Sequence, residues 1–379
     1  MILNEEQLAI QKVARDIAQK VIAPKAAYYD ETEEFPWEGI KKLSEAGFLG
    51  MFVPEKYGGA EMDAVSGMLV IEEISKACAS TGVVVAVQNS AAMLPLLIGG
   101  TEEQKQQYLP DMAAGRKIGA FALTEPGAGS DAAKAATVAV EDGDEYVING
   151  SKCMITNGAV ADVFFVFASK DRSKGVKGLA GFIIPKGTPG FRVGKHEKKM
   201  GIRASSTTEL VFDNCRIPKA NQFGGDGQGF KMAMITLDSA RIGIAAQAVG
   251  IAQAAYEEAL EYAKVREQFG KPVAANQAIS FMLADMAIQI EAARQLTYHA
   301  AALKDAGMPF GKEAAMAKTF ASDTAMKVTT DAVQVLGGYG YFREYPAERL
   351  MRDAKVTQIY EGTNQIQRVV ISNYILNDK

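Results

Sequence analysis

The strongest constraint on the fold is a long stretch with nothing to break a helix. From Gln228 to Val265 there is no proline, and as one helix this segment would run about 38 residues, roughly 57 Å. Ala275 to Ala306 and Lys312 to Leu336 predict two more long helices. The first part of the chain, Asn4 to about Gly115, is helical as well, with Leu8, Val13, Ile17 and Val21 recurring at helical spacing. Asn4 with Gln7, and Thr101 with Gln104, have the form of capping boxes. Pro54, Gly58 and Gly59 punctuate the segment.

Between Ile118 and Asn221 the texture changes to short runs of β-branched and aromatic residues. Candidate strands are Ile118 to Thr124, Glu145 to Asn149, Lys152 to Thr156, Val163 to Ala168, Leu179 to Pro185 and Thr208 to Asp213. Glu141-Asp142-Gly143-Asp144 is hairpin-turn chemistry. No intervening stretch is long enough for a crossover helix, so an antiparallel barrel or sandwich is expected rather than a Rossmann sheet. The chain of 379 residues is therefore mostly α with a central β domain. The expected divisions are 1–117, 118–225 and 226–379, in line with about 150 residues per domain.

Composition narrows the chemistry. Forty-one basic residues against 45 acidic ones leave a net charge of −4, with the signs mixed and no basic block, so nucleic acid is not an expected partner. Cys78, Cys153 and Cys215 offer no close pair, which argues against a disulfide framework or a zinc site and fits a reducing compartment. His196 and His299 are the only histidines and lie far apart, so a general base is expected among the carboxylates. Met1 to Lys20 carries Glu5, Glu6, Lys12, Arg15 and Asp16, which leaves no apolar centre for a signal peptide; a cytoplasmic location is expected. The uncharged run Ala77 to Thr101 contains Gln88, Asn89 and Pro95 and reads as a buried helix, not a membrane span.

The common nucleotide signatures fail. Val265 and Ala306 stand where a phosphate loop needs glycine before Gly270-Lys271 and Gly311-Lys312. Gly225-Asp226-Gly227-Gln228-Gly229 lacks a surrounding βαβ unit and reads as a flexible lead-in to the long helix. Phe121-Ala122-Leu123-Thr124-Glu125-Pro126-Gly127-Ala128-Gly129-Ser130-Asp131 is a strand running into a Gly-rich turn, which is either structural or an anion cradle of backbone N–H groups and a hydroxyl. Met154-Ile155-Thr156-Asn157-Gly158 places another hydroxyl at a strand end. Asp238 and Arg241 share a helix face, an arrangement that alone is an ordinary surface ion pair. Arg266-Glu267-Gln268-Phe269-Gly270-Lys271-Pro272 closes a helix with a guanidinium and a ring, suited to a phosphate and a planar group. Gln334-Val335-Leu336-Gly337-Gly338-Tyr339-Gly340 is a helix stop that also permits close backbone approach.

In this order, and with Arg352-Asp353-Ala354-Lys355-Val356-Thr357-Gln358-Ile359-Tyr360-Glu361-Gly362-Thr363-Asn364-Gln365-Ile366-Gln367-Arg368, these segments resemble the acyl-CoA dehydrogenase family over essentially the whole chain. Leu237-Asp238-Ser239-Ala240-Arg241-Ile242-Gly243-Ile244-Ala245-Ala246-Gln247-Ala248 is most similar to the short-chain, butyryl-CoA type. The resemblance implies a helical N-terminal domain, a middle antiparallel β-barrel and a C-terminal four-helix bundle. It further implies a homotetramer, a dimer of dimers, with FAD at subunit boundaries and electron-transferring flavoprotein as the electron acceptor.

By resemblance, Phe121, Leu123, Thr124 and Ser130 line the flavin and its phosphates, with Ser130 also near CoA. Met154, Ile155 and Thr156 would flank the isoalloxazine; relatives often carry Trp or Phe at the Met154 position, so a softer contact is expected. Arg266, Phe269, Gln277, Gln334, Gly337 and Gly338 would bind the ADP half of the neighbouring subunit's FAD, and Thr363 and Gln365 would complete the cradle. Asp238 and Arg241 would hold CoA, with Tyr360 and Gly362 beside the substrate.

Glu361 is the expected base, taking the α-proton of an acyl thioester while hydride leaves the β-carbon for flavin N5. Some relatives place this base on the long helix, but Ile242 to Tyr256 contains no Asp or Glu. An arginine that would mark a dicarboxylic substrate is absent from Ala77 to Thr101, so a short apolar acyl chain is expected, butyryl-CoA first. The same residues would serve the reverse enoyl-CoA reduction, and a branched or medium-chain substrate is the other alternative.

Overall fold

The computed structural model describes residues 1–377. Seven helices come first: α1 (Glu5–Ile17), α2 (Ala26–Thr32), α3 (Trp37–Glu45), α4 (Ala64–Ala77), α5 (Ala79–Val87), α6 (Leu94–Gly99) and α7 (Glu102–Ala113). Both expected capping boxes form. Gln7 N–H donates to Asn4 Oδ1 at 2.8 Å and Gln104 N–H to Thr101 Oγ1 at 3.2 Å, with each glutamine side chain accepting the cap N–H in return. The uncharged run becomes α5, a π-turn and α6; residues 79–93 are buried throughout, as a core segment and not a membrane span.

The middle of the chain forms β1 (Gly119–Ala122), β2 (Val138–Asp142), β3 (Glu145–Thr156), β4 (Val163–Ser169), β5 (Leu179–Pro185), β6 (Phe191–His196), β7 (Thr207–Pro218) and β8 (Gln222–Phe223). Strand order is β6-β7-β3-β2-β4-β5-β8, with β1 beside β4. The pairing is antiparallel except at β4, whose neighbours β1 and β2 both run parallel to it. This corrects the purely antiparallel expectation. The β2–β3 hairpin lies between β1 and β4 in sequence and returns the chain in the same sense, so no crossover helix is needed. The segments read as two strands, before and after Gly150, are one strand, interrupted by register shifts opposite β7. β6 escaped the sequence reading because its residues are half-buried or exposed and lack a strong apolar alternation.

Residues of β4 alternate between two cores: Phe164, Val166 and Ala168 point into the sheet's own core, while Phe165 and Phe167 face the helices with Leu96, Met112, Phe223 and Met232.

After the sheet come α8 (Gly229–Val265), a small hairpin of β9 (Glu267–Gln268) and β10 (Lys271–Pro272), α9 (Gln277–Asp305), α10 (Gly311–Leu336), α11 (Ala347–Thr357) and α12 (Asn364–Leu376). The fourth bundle position is taken by the short α11, packed on α8 and α10, and α12 lies along α10. From Ser239 to Ala252, α8 is buried on every side, because N-terminal helices cover the face that the bundle leaves open. Gly250 makes that contact possible: a Cβ there would sit 2.4 Å from the Glu72 carbonyl of α4. The two helical regions therefore share one continuous core, and the sheet hangs beside it.

Candidate active site

The link between α11 and α12 carries the sequence Gln358 to Thr363. Its middle residues, Glu361 (φ +54°) and Gly362 (φ +89°), are both left-handed, a conformation uncommon for a glutamate. Gly362 is required twice over, since a Cβ would meet Gln367 Nε2 at 2.6 Å. Gln367 Nε2 donates to the carbonyls of Glu361 and Gly362, each at 3.0 Å. From α10, Lys318 Nζ donates to Gly362 O at 2.8 Å and Asn364 Oδ1 at 2.9 Å. Thr363 caps α12 through Ile366 N–H.

With its backbone held this way, Glu361 presents a carboxylate whose Oε2 is shut off from solvent and has no hydrogen-bond partner among the described residues. Burial pushes its carboxyl up to about 7, against the opposing charges of Arg241 and Lys318. That is the tuning a general base needs near neutral pH. Arg241 is not a surface residue: it is buried on α8, ion-paired with half-buried Asp238, with its Nε 3.5 Å from the Glu361 carbonyl. It faces the base link. Tyr360, one residue before the base, donates its hydroxyl to Gln247 Oε1, and Gln247 Nε2 donates on to Ala79 O at 3.0 Å. The base link is thus tied to α8 and α5 together.

From β3, Lys152 Nζ binds the carbonyl of Leu123 at 3.0 Å and Cys153 N–H the carbonyl of Thr124 at 2.9 Å, fixing the end of β1 before the Gly-rich turn. Ser130 is exposed, and Phe121 packs on Phe167. Met154 has φ +58° and is 70% exposed, an apolar side chain held outward by a strained backbone. The Ile155 side chain is buried in the sheet core.

A third group lies at the far end of α8. Arg266, Gly337 and Gly338 line a cleft of about 350 Å³ with Tyr339 and Phe342, and the Arg266 guanidinium stacks over the Tyr339 ring at 5.4 Å. Gln277 and Gln334 are exposed nearby in sequence, and Phe269, at φ +55°, is 99% exposed. Thr363 and Gln365 line a separate opening of about 490 Å³ with Arg368.

The comparisons with known proteins agree with this geometry. Residues 4–116, 120–215 and 227–376 match the acyl-CoA dehydrogenase N-terminal, middle and C-terminal domains respectively. The chain belongs to the acyl-CoA dehydrogenase family. The short-chain specific acyl-CoA dehydrogenase of Clostridium acetobutylicum is 52% identical over 98% of both chains. The solved butyryl-CoA dehydrogenase of Megasphaera elsdenii superposes with a TM-score of 0.96 at 48% identity over 99% of both chains. A chain solved in work on the electron transferring flavoprotein of Acidaminococcus fermentans gives 0.98 at 53% identity over 100% of both. This acyl-CoA dehydrogenase is an oxidoreductase and its cofactor is FAD. The exposed Met154, the fixed end of β1 and the glycine-floored Arg266 cleft fit a flavin, its phosphates and an ADP group.

Lys318, Gln247, Gln367 and Asn364 escaped the sequence reading. For Lys318 a signal existed: it falls on the apolar stripe Ala314, Ala317, Ala321 and Ala325, where a lysine has no ordinary place.

Proposed function

We propose that this chain removes the α-proton and β-hydride of a short-chain acyl-CoA, butyryl-CoA first, to give the trans-2-enoyl-CoA, with Glu361 as the base. The observation that carries this reading is the half-buried Glu361 carboxylate, whose Oε2 is shut off from solvent and unbonded among the described residues and whose proton affinity is raised to about 7. When bound, FAD supplies the acceptor for the hydride that leaves the β-carbon. Desolvation raises the proton affinity of Glu361, and its left-handed backbone leaves its own N–H without a protein acceptor among the described residues, free to polarise a thioester oxygen. Arg241 and Asp238 would orient the CoA side.

Glu361→Gln should lower turnover by at least about 10³-fold, while FAD content and thioester binding persist; activity within tenfold of wild type would reject the assignment. A short acyl chain is supported by the names of the relatives and by the Tyr360–Gln247–Ala79 tie, which fills space beside the base with bonded side chains. Rates over C4 to C16 and branched thioesters test this, and a maximum at C8 or longer would refute it. Gln247→Ala should move the optimum toward longer chains by loosening that tie.

The length of α8 supports a site shared between subunits. Arg266 is 25 positions beyond Arg241 on α8, about 37 Å along its axis, too far for the Arg266 cleft and the Glu361 corner of one chain to serve one flavin. Each FAD would then draw on two subunits, in a homotetramer built as a dimer of dimers. Exposed Phe269, Phe281 and Ile288 suit such contacts. Electron-transferring flavoprotein is the proposed acceptor, and the cytoplasm the proposed location.

A further inference from the structure

Lys318 is a fully buried side chain about two turns into α10. An ammonium is costly there unless it does something that a hydrocarbon cannot. Among the described residues it forms no ion pair at contact distance; its two hydrogen bonds go to neutral acceptors, Gly362 O and Asn364 Oδ1. Those acceptors flank the base link on its C-terminal side. Asn364 is itself fixed by Nδ2 donations to Ser322 Oγ at 2.9 Å and Asp323 Oδ1 at 2.7 Å, so the lysine is aimed by a bonded frame and not merely trapped.

We propose that Lys318 is a positioning residue for the base. Its hydrogen bond to Gly362 O holds Glu361 in its left-handed conformation, and its charge, together with that of Arg241, favours the ionised carboxylate. The groups facing Glu361 are Arg241 from α8 and Lys318 from α10, with Tyr360 beside it; Asp238 pairs with Arg241, and Asp323 acts on Lys318. Burial pulls the Lys318 ammonium down to about 7, with Glu361 and Asp323 opposing that and Arg241 adding to it. The cation and the base are thereby coupled through one small volume, and losing either charge alters the proton affinity of the other.

The proposal rests on Glu361 being the base, and the experiment separates the two. Lys318→Met removes both donor and charge; Lys318→Gln keeps a donor for Gly362 O without the charge. With holoenzyme and butyryl-CoA, Lys318→Met should lower kcat at pH 7 by about 10- to 100-fold and move the acid limb of the kcat profile up by about one pH unit. KM should change less than about threefold. Lys318→Gln should keep the displaced limb but recover most of the kcat lost at high pH. Flavin content and circular dichroism are read on the same samples. Wild-type kcat and an unmoved limb in both variants overturn the proposal, as does loss of flavin or helical signal in both, which would assign Lys318 to the fold alone. Glu361→Gln measured alongside identifies the cause of failure: if it stays active, the base assignment falls; if it is dead while the lysine variants are unaffected, only the role of Lys318 falls.

Discussion

Two buried lysines sit near carboxylates in this chain, and the two carboxylates are driven in opposite directions. At the start of the Gly-rich turn, Lys152 bonds directly to Glu125 Oε1 at 2.7 Å, and the same carboxylate accepts the N–H groups of Thr137 at 3.0 Å and Ala136 at 2.5 Å. Burial pushes Glu125 upward, yet the lysine charge and these donors prevail and hold it below the usual carboxylate range. At the base link, Lys318 gives its hydrogen bonds to a carbonyl and an amide, so Glu361 feels its charge without receiving a donor. Burial then wins. A carboxylate becomes structural or reactive according to whether its lone pairs are filled, not according to whether a lysine is near.

The largest way to break this comparison is at the structural pair. Lys152→Met leaves Glu125 buried and uncompensated, and breaking such a pair costs about 3–5 kcal/mol. Thermal unfolding of the holoenzyme should show it, together with weaker flavin retention, because Lys152 also fixes Leu123 O. Replacing both partners, as Lys152→Met with Glu125→Leu, should restore part of the loss. A single variant as stable as wild type would mean that the pair contributes little and that the contrast with Glu361 is not one of satisfied against unsatisfied bonding.

A smaller effect is the pH dependence of turnover. Glu361 must be ionised to accept a proton, so kcat should rise with pH through a midpoint near 7 and fall about tenfold per unit below it. Primary deuterium substitution at the α-carbon should keep the chemical step visible across the profile. A rate that is flat from pH 5 to 8 would show a carboxylate with ordinary affinity, and the site would lose what distinguishes it from Glu125.

What could be read from the sequence follows the physics of each region. The long helices α8, α9 and α10 were legible because periodicity accumulates over many turns, and β5 because a continuous apolar run between turn residues has few other readings. The parallel placement of β1 against β4 was not, since Gly119–Ala122 carries no mark of the direction of its neighbour. Glu361 was reached through a motif resemblance, but its reactivity was not legible: it depends on Arg241 of α8 and Lys318 of α10, which lie 120 and 43 positions before Glu361 in the chain. Arg241 read locally as half of a surface pair, because the i, i+3 spacing reveals its partner Asp238 and hides the helices that bury both.

The smallest expected effect concerns stability and has the least intuitive sign. The folded chain raises Glu361 from the ordinary 4.5 to about 7, so between those values the folded state binds more protons than the unfolded one. Stability contributed by this group is therefore present at low pH and lost as pH rises through the window. Glu361→Gln cannot titrate and escapes that loss. The variant should match wild type at pH 4.5 and exceed it at pH 8 by about 1–2 kcal/mol, discounted because the residue is only half-buried. Thermal midpoints of both proteins across that range would measure it. A gap that grows with pH makes the inactive enzyme the more stable one, the signature of a carboxylate left unsatisfied for its chemistry. Parallel curves would place Glu361 with Glu125, among carboxylates that the fold has already satisfied.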